Sequence, residues 1–228
     1  MPPQLSQQRC AEPVSADAIA SGAAELGLRL SSAQSDALAR YATLLLRWSA
    51  VHNLTAIQTP SDVLSHHLLD SLAIVPEVRR AVDDVASRIL DVGAGGGLPG
   101  VVLAIVAPHL HVTLLDKVQK KVAFLTQVKV ELALRNVDCV HARVEAFQTE
   151  SPFELIVARA FASLSEFVSL TRHLLAPDGW WFAMKGALPS DELNELKRSL
   201  PEIHARTMRL HVPPLNAERH LVLMQIAR

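Results

Sequence analysis

The chain contains little cysteine, few aromatic residues and almost no net charge. Its 228 residues include two cysteines, Cys10 and Cys139, and 4% aromatic residues, and its formal net charge is −1. Two cysteines this far apart lack a metal-ligand spacing, which argues against a disulfide scaffold or a cysteine-based zinc site, so we expect structural or surface thiols. The balanced charge argues against a stand-alone binder of naked nucleic acid, which is usually basic, but it is compatible with a local basic face.

Long apolar runs are also missing. No stretch approaches the roughly 20 apolar residues that a membrane-spanning helix needs. The N-terminus has no charged region followed by an apolar run, so we expect no signal peptide. These absences predict a cytoplasmic protein that does not contact a membrane. Residues 1–14 are polar, contain prolines and show no periodicity, which predicts a disordered tail.

A hydrophobic core and a regular alternation of strand-like and helix-like segments are present instead. Half of the residues are hydrophobic, enough for one α/β domain with an appendage. The pattern predicts a helical extension over residues 15–85 and, over 86–228, a mostly parallel sheet covered by helices on both faces. The predicted strands are 88–92, 111–115, 137–141, 153–158 and 179–184, the predicted helices are 98–107, 118–134, 163–175 and 190–199, and a terminal hairpin at the sheet edge is expected from 205–212 and 220–227.

The most informative stretch joins the first predicted strand to the helix after it. Asp91 lies in that strand and is followed by Gly93, Gly95 and Gly97 in a D-x-G-x-G-x-G pattern. Glycine tolerates positive φ and lets a ligand approach the backbone closely. Pro99 suits the first turn of the helix, whose N-terminus offers free N–H groups. The pattern is typical of S-adenosylmethionine (SAM) methyltransferases, in which Asp91 would meet the methionyl ammonium directly or through water.

Two other interpretations of this loop stay open. Gly95, Gly97 and Gly100 fit the dinucleotide pattern G-x-G-x-x-G, which would make the chain an NAD(P)-binding oxidoreductase. That match lies three or more residues beyond the strand end, so its register favours SAM. A glycine-rich turn without a ligand is the other alternative, although four glycines in five positions are entropically costly where nothing approaches.

The second and third predicted strands end in further candidates, because ligands of open α/β sheets bind beyond the carboxyl ends of the strands. Asp116 ends the second strand and is placed to hold ribose hydroxyls; alternatively, it only caps the next helix. Val144 and Glu145 follow the third strand, where their backbone groups can bond an adenine edge.

Basic residues cluster beside these positions. Lys117, Lys121 and Arg143 flank the expected cofactor site, and Arg219 adds charge near the C-terminus. Such residues bind RNA phosphates. A solvated helix face is an equally good interpretation of the lysines.

Arg159 and Lys185 follow the fourth and fifth predicted strands, where a methyl acceptor is positioned. The segment around Arg159 has neither the N-P-P-Y-like motif of amino-group methyltransferases nor the cysteine nucleophile of cytosine C5 enzymes. A cationic site suits guanine N7, because N7 carries a lone pair and no proton, so alignment of N7, methyl carbon and sulfur needs no base. Arginine also reads the guanine edge and phosphates. A structural salt bridge for Arg159 and transfer to a ribose 2′-hydroxyl stay open.

His66 and Asp70 are four residues apart on a predicted helix that Thr59 caps and Pro60 begins. Their spacing suggests a metal pair, but two ligands are too few and no H-E-x-x-H motif is present. We therefore expect no metal, and we expect this helix to pack against the sheet domain.

Several of these motifs occur together in one known family. The chain resembles the RsmG (GidB) family of bacterial small-subunit ribosomal RNA guanine-N7 methyltransferases, from about residue 41 to the end. The matching motifs are Asn53-Leu54-Thr55, His67-Leu68-Leu69-Asp70-Ser71, Asp91 to Gly100, Leu114-Leu115-Asp116, Arg143-Val144-Glu145, Arg159-Ala160-Phe161-Ala162-Ser163, Lys185-Gly186 and Glu218-Arg219-His220-Leu221-Val222. Gly96 departs from the family pattern, and residues 1–14 lie outside it.

The resemblance implies a Rossmann-like class I SAM-dependent methyltransferase fold with an N-terminal helical extension. It implies methylation of N7 of one guanine in the decoding region of 16S ribosomal RNA, with SAM contacts at Gly93, Leu98, Val144, Glu145 and Arg159. We expect 16S RNA or a precursor of the small subunit as partner, no DNA, and a monomer. The alternatives are another RNA position, a small molecule or a protein as the acceptor.

Overall fold

A seven-stranded sheet forms the centre of the computed structural model, which describes residues 13–52, 54–57, 59–82, 87–215 and 217–227. The strand order is β3-β2-β1-β4-β5-β7-β6. The first five strands are parallel, and β7 runs antiparallel to its neighbours β5 and β6. The strands are β1 (Arg88–Val92), β2 (His111–Asp116), β3 (Val137–His141), β4 (Phe153–Arg159), β5 (Leu175–Lys185), β6 (Ile203–Arg209) and β7 (His220–Ile226).

Helices precede the sheet and connect its strands. A π-helical turn, Leu64–Leu69, lies between two short helices of the N-terminal segment, and 3-10 turns lie at Val144–Ala146 and Arg172–Leu174. The helices are α1 (Ala16–Glu25), α2 (Ser32–His52), α3 (Pro60–Val63), α4 (Asp70–Leu72), α5 (Val75–Ala81), α6 (Gly100–Val106), α7 (Gln119–Glu131), α8 (Leu164–Thr171) and α9 (Ser190–Ser199).

The sheet separates two apolar cores because successive strand residues point to opposite faces. Ile89 and Leu155 join the core that contains residues of α1, α2, α6 and α7. Leu90 and Ile156 join the core under α8 and α9. The N-terminal helices therefore share a continuous core with one face of the sheet. The predicted boundary between residues 85 and 86 stays a prediction, since nothing in this packing tests it.

The N-terminal segment begins as its caps predict. The Ser15 hydroxyl accepts a hydrogen bond from the Ala18 amide at 3.1 Å, and Thr59 caps the helix that Pro60 begins. Val14 is buried, although the sequence places it in a disordered tail. The first twelve residues of that tail lie outside the described residues.

The predicted strands agree with the observed ones to within a residue, except at β6, which is predicted over 205–212 but observed at Ile203–Arg209, and at β5. The sequence predicts this strand from residue 179, but it begins at Leu175, and the preceding α-helix ends at Thr171. Leu175 pairs with Phe153, the next pair is Trp180 with Leu155, and the intervening residues form an irregularity. The predicted Pro-Asp-Gly turn is therefore an interruption within the strand.

The predicted terminal hairpin is confirmed as an antiparallel pair, with its first strand at Ile203–Arg209. Its second strand, β7, inserts between β5 and β6, so β6 forms the sheet edge. Within the described ranges, no helix combines the length and apolarity needed to cross a membrane.

A buried polar chain ties α8 to β5. The indole N–H of Trp181 donates to the Thr171 hydroxyl at 2.8 Å, and this hydroxyl donates to the Phe167 carbonyl at 2.6 Å. Trp181 and Thr171 are both fully buried. The Thr171 hydroxyl therefore satisfies a donor that water cannot reach.

We expect Thr171→Val to lower the free energy of unfolding by about 1–3 kcal/mol, because the Trp181 N–H loses its acceptor. Thr43→Val is the matched control, since the Thr43 hydroxyl also donates to the carbonyl four residues back, at 3.0 Å, but is only partly buried. Urea unfolding of both variants measures the difference. Equal losses in the two variants would contradict the assigned role of Thr171.

Candidate active site

A cavity of about 330 Å³ lies at the carboxyl ends of β1 to β4. We call it the first cavity. Because parallel strands end at this edge, segments distant in sequence meet here. Its walls are Val92, Gly93, Leu115, Asp116, Lys117, Val118, Lys121, Ala142, Arg143, Val144, Glu145, Ala160, Phe161, Ala162, Glu166 and Leu170.

The glycine loop forms one wall of the first cavity. Gly93 has φ +68°, and a Cβ at this position would lie 2.8 Å from the ring of Phe161. A larger residue would therefore be strained and would displace an aromatic side chain of the wall. The loop leads into α6, with Pro99 at its N-cap rather than inside the helix.

Asp91 lies fully buried beneath this loop. Its Oδ2 accepts a hydrogen bond from the Gly100 amide at 2.8 Å, and its Oδ1 has no partner among the described residues. Burial raises the pKa of this carboxyl to about 7, against the opposing effects of the Gly100 bond and of Arg159. Gly100 has no room for a side chain, since a Cβ would lie 2.6 Å from Asp91 Oδ2.

Asp116 connects the loop to the helix after β2. Its Oδ2 accepts from the Gly95 amide at 3.0 Å, and its Oδ1 accepts from the Val118 amide at 2.8 Å. Lys121 Nζ lies 3.7 Å from Oδ2. The carboxylate therefore supports the start of α7, which is the kind of role that the sequence analysis left open for Asp116 as an alternative. It also lines the first cavity.

The third wall comes from the 3-10 turn Val144–Ala146. Val144 is buried and Glu145 is exposed, and both residues line the cavity. The first N–H groups of such a turn have no partner within it. Arg143 precedes the turn and is exposed, as is Lys117 after the neighbouring strand β2.

A second cavity of about 500 Å³ adjoins the first. Ala160 lines both cavities. It has φ +52°, a left-handed conformation that residues other than glycine rarely adopt. The second cavity lies between the N-terminal segment and the ends of β4, β5 and β7, and its walls are Ile57, His66, His67, Asp70, Arg159, Ala160, Met184, Lys185, Gly186, Leu210, Arg219 and His220.

Arg159 is held from the N-terminal segment. Its Nη1 donates to the His66 carbonyl at 3.0 Å and lies 3.4 Å from Asp70 Oδ2. Asp70 Oδ1 accepts from Arg219 Nε at 3.1 Å. Burial raises the pKa of the Asp70 carboxyl above its ordinary value, and the two arginines oppose this rise. Arg159 thus forms the salt bridge that the sequence analysis left open as an alternative, and it also lines the second cavity.

Lys185 also has an anionic partner. Its Nζ lies 2.8 Å from Glu192 Oε2 and donates to the Ala162 carbonyl at 3.0 Å. Glu192, on α9, also accepts from the Leu164 amide at 2.8 Å. The sequence analysis missed Glu192, because nothing local in the sequence connects α9 to the end of β5.

The sequence-predicted residues separate into three groups. Those lining the first cavity are Gly93, Asp116, Lys117, Lys121, Arg143, Val144 and Glu145. Those lining the second are Arg159, Lys185 and Arg219. Those lining neither cavity are Asp91, Gly95, Gly97 and Leu98.

His66 and Asp70 make separate contacts. His66 Nδ1 lies 3.0 Å from the Ser65 hydroxyl and 4.0 Å from Asp62, whereas Asp70 meets two arginines. Within the described residues, no group of three or more histidine, cysteine or acidic side chains could hold a metal.

The predicted packing of this helical segment against the sheet domain is confirmed by the Asp70 ion pairs.

Two buried side chains of the N-terminal segment complete the site. Burial, assisted by Arg159, lowers the pKa of His67 to about 4, so this ring is neutral at pH 7. Its Nε2 lies 2.8 Å from the Thr55 hydroxyl. The Tyr41 hydroxyl donates to the Gly96 carbonyl, so a residue expected only in the core also anchors the glycine loop.

Comparisons with known proteins agree with this geometry. Residues 34–222 match the GidB family model, described as rRNA small subunit methyltransferase G. The chain is 53% identical over 205 residues to "Ribosomal RNA small subunit methyltransferase G" of Burkholderia ambifaria, covering 88% of each chain. It is 48% identical over 209 residues to the protein of the same name from Leptothrix cholodnii, covering 92% of this chain and 94% of that one.

A solved structure supports the fold. The SAM dependent methyltransferase from Aquifex aeolicus aligns with a TM-score of 0.55 over 76% of this chain and 97% of its own, at 15% identity. This similarity concerns the fold alone, and it confirms the predicted methyltransferase fold class. The family model covers most of the chain and the relatives are about half identical to it, so this chain belongs to the GidB family, rRNA small subunit methyltransferase G.

Proposed function

We propose that this chain transfers a methyl group from SAM to N7 of a guanine in the decoding region of 16S ribosomal RNA. The observation that carries the proposal is the pair of adjoining cavities that share Ala160. One is bounded by the glycine loop typical of SAM methyltransferases, and the other is lined by three cationic side chains. A donor and an acceptor held in neighbouring cavities can meet in line.

The residues of the first cavity fit SAM. Beneath the glycine loop, outside the cavity walls, the buried Asp91 Oδ1 has no partner among the described residues, which suits a nearby ammonium reached through water. Gly93 carries no side chain at the cavity wall, where a Cβ would lie only 2.8 Å from the Phe161 ring. Asp116 is placed to accept from ribose hydroxyls, and the backbone at Val144 and Glu145 to bond adenine. Bound SAM supplies an electrophilic methyl group on a sulfonium.

Three of the remaining expected positions shape the loop. Gly95 donates its amide to Asp116, and Gly97 has φ +89° with Val101 close to where its Cβ would lie. Leu98 is buried in the core beneath the loop. Their part in cofactor binding, under this proposal, is to hold the backbone of the loop in place.

The second cavity suits a guanine and its phosphates. Arg159 and Lys185 would act at the acceptor, with donors for the guanine O6 or for phosphate oxygens. N7 itself must stay free of donors, because its lone pair forms the new bond. No base is required, which agrees with the pKa of His67, because a ring whose pKa is lowered to about 4 is a weak base, and Thr55 and the His66 carbonyl hold it in place.

Cations that line the first cavity provide the RNA-binding face; of these cations, Lys117 and Arg143 are exposed and Lys121 is partly buried. The first cavity is lined by Lys117, Lys121 and Arg143, and the second is lined by Arg219. Because the net charge is only −1, this attraction is local. We infer that the monomer acts in the cytoplasm, where ribosomes are assembled, on 16S RNA within the small subunit or its precursor.

The direct test is methyl transfer from labelled SAM to small subunits and to RNA extracted from them, followed by identification of the labelled nucleoside. We expect 7-methylguanosine at one site of 16S RNA. Label at another base or at a ribose would overturn the N7 assignment while keeping an RNA substrate. SAM binding without any label in RNA would instead favour a small-molecule or protein acceptor.

Asp116→Ala should weaken SAM binding by roughly 10- to 100-fold, because a hydrogen bond to a charged group contributes about 1.5–3 kcal/mol. Calorimetric titration measures the affinity, and thermal melting checks that the variant is folded. Asp138→Ala is the control, since Asp138 on β3 pairs with His111 on β2 and with Lys129 on α7, outside the first cavity. An affinity equal to that of the control would remove Asp116 from the cofactor site.

SAM affinity should depend on the ionisation of Asp91. Since the pKa of this carboxyl is raised to about 7, it becomes neutral as the pH falls below 7 and loses its attraction for the SAM ammonium. Affinity should therefore rise from pH 5.5 to 7, where the ammonium itself stays charged. Calorimetry in buffers of different protonation enthalpy should detect proton release on binding.

Asp91→Asn provides the comparison for this pH series. The amide oxygen can still accept the Gly100 bond, but the side chain no longer titrates. We expect weaker binding with a flat profile between pH 5.5 and 7. A flat profile in the wild-type protein would exclude Asp91 as the counter-charge of the ammonium.

A further inference from the structure

We propose that Asp70 is a positioning residue for methyl transfer, one that holds the guanidinium groups of Arg159 and Arg219 at the second cavity. Asp70 comes from the N-terminal segment, whereas the arginines come from the end of β4 and the start of β7. The proposal rests on the proposed function, since it assigns the second cavity to the acceptor. It gives the N-terminal segment a direct part in the reaction geometry.

The contacts place one carboxylate between two cations. Oδ2 lies 3.4 Å from Arg159 Nη1 and Oδ1 lies 3.1 Å from Arg219 Nε. The Asp70 side chain is 6% exposed, against 23% for Arg159 and 20% for Arg219. The carboxylate thus lies behind the guanidinium groups, which are the more accessible. This is the arrangement expected if Asp70 orients the cations and they contact the substrate.

The backbone of the same segment supports Arg159. In the π-helical turn Leu64–Leu69, the Asp70 amide donates to the carbonyls of Ser65 and His67. It does not donate to the His66 carbonyl, which an α-helix would use four residues back. The His66 carbonyl accepts from Arg159 Nη1 at 3.0 Å instead. Single π-helical turns recur at functional sites because they redirect such groups. The turn and the Asp70 side chain therefore act on the same guanidinium.

Charge repulsion explains why the carboxylate is needed. Two guanidinium groups facing one cavity repel each other unless an anion lies between them. A carboxylate with two oxygens can accept from both, while a neutral amide has one acceptor oxygen. Asp70→Asn therefore frees at least one arginine without a large change in side-chain volume.

Glu77 is the matched control for a purely structural role. It is a buried carboxylate on α5, its side chain is also 6% exposed, and it also pairs with two arginines, Arg80 and Arg206. It is absent from the walls of both cavities. Glu77→Gln should thus affect stability as Asp70→Asn does, while leaving methyl transfer unchanged.

The experiment compares the two variants with the wild-type enzyme in methyl transfer to small subunits, with SAM affinity measured separately. We expect Asp70→Asn to lower kcat/KM for the RNA substrate by roughly 10- to 100-fold, as for other small misplacements of a positioned group. SAM affinity should change less than about threefold, since Asp70 and both arginines line the second cavity and not the first, so that Arg159 would act at the acceptor and not as the SAM contact that the resemblance implies. Equal rates for Asp70→Asn and Glu77→Gln would overturn the proposal.

A double-mutant cycle distinguishes action through Arg159 from an independent effect. If Asp70 acts through the arginines, Asp70→Asn should add little to the loss caused by Arg159→Ala. Fully additive losses would overturn the positioning role.

Two further measurements keep the outcome decisive. If Asp70→Asn does not fold, Asp70→Glu keeps the charge but moves the carboxylate, and wild-type kcat/KM in this variant would overturn the proposal. NMR spectra should show the guanidinium N–H resonances of Arg159, which can be assigned by their loss in Arg159→Lys. We expect these resonances to be resolved in the wild-type protein and in Glu77→Gln. They should be broadened in Asp70→Asn. The resonances can be recorded without any methyl transfer. They therefore test the role of Asp70 even if the wild-type enzyme does not label RNA. Absence of label in RNA would overturn the proposed function alone.

Discussion

The hydrogen bond from the Gly100 amide to Asp91 underlies the geometry of the site. It joins the end of β1 to the start of α6 and so fixes both ends of the glycine loop between them. A buried carboxylate with one oxygen that has no partner among the described residues is unfavourable in itself, and burial raises its pKa to about 7. Sterics restrict the same loop, because neither Gly100 nor Gly93 has room for a Cβ. The carboxylate beneath the loop is thus desolvated where a cofactor's positive charge would stabilise it.

The N-terminal segment is bound to this loop and to the second cavity by polar contacts as well as by packing. Tyr41 donates to the Gly96 carbonyl, and Asp70 pairs with Arg159 and Arg219. These contacts are buried or partly buried, where an unmade hydrogen bond costs more than at the surface. The segment therefore does more than cover one face of the sheet. It contributes one wall of the second cavity, which the sheet alone could not form.

Local patterns in the sequence predicted the elements well, whereas contacts between distant residues were not predictable. The caps Ser15 and Thr59, and the glycine loop after β1, follow from side-chain chemistry over a few residues. The strand β5 begins earlier than predicted because Leu175 pairs with Phe153 before the Pro-Asp-Gly turn, and only pairing in the sheet reveals this. The motif containing Asp70 was recognised, but its two arginine partners lie far along the chain. No spacing rule connects residues whose proximity depends on the whole fold.

The cations of the second cavity are paired with anions, which bears on how a chain of net charge −1 would act on RNA under the proposed function. Lys185 is paired with Glu192, and Arg159 and Arg219 share Asp70, so two internal anions accompany three cations. Such pairs weaken long-range attraction for phosphates, which supplies most non-specific binding. They also hold the donors in fixed positions before the substrate arrives, which favours transfer in one geometry. Under the proposed function, the site would therefore depend on the shape and edges of its substrate more than on general affinity for RNA.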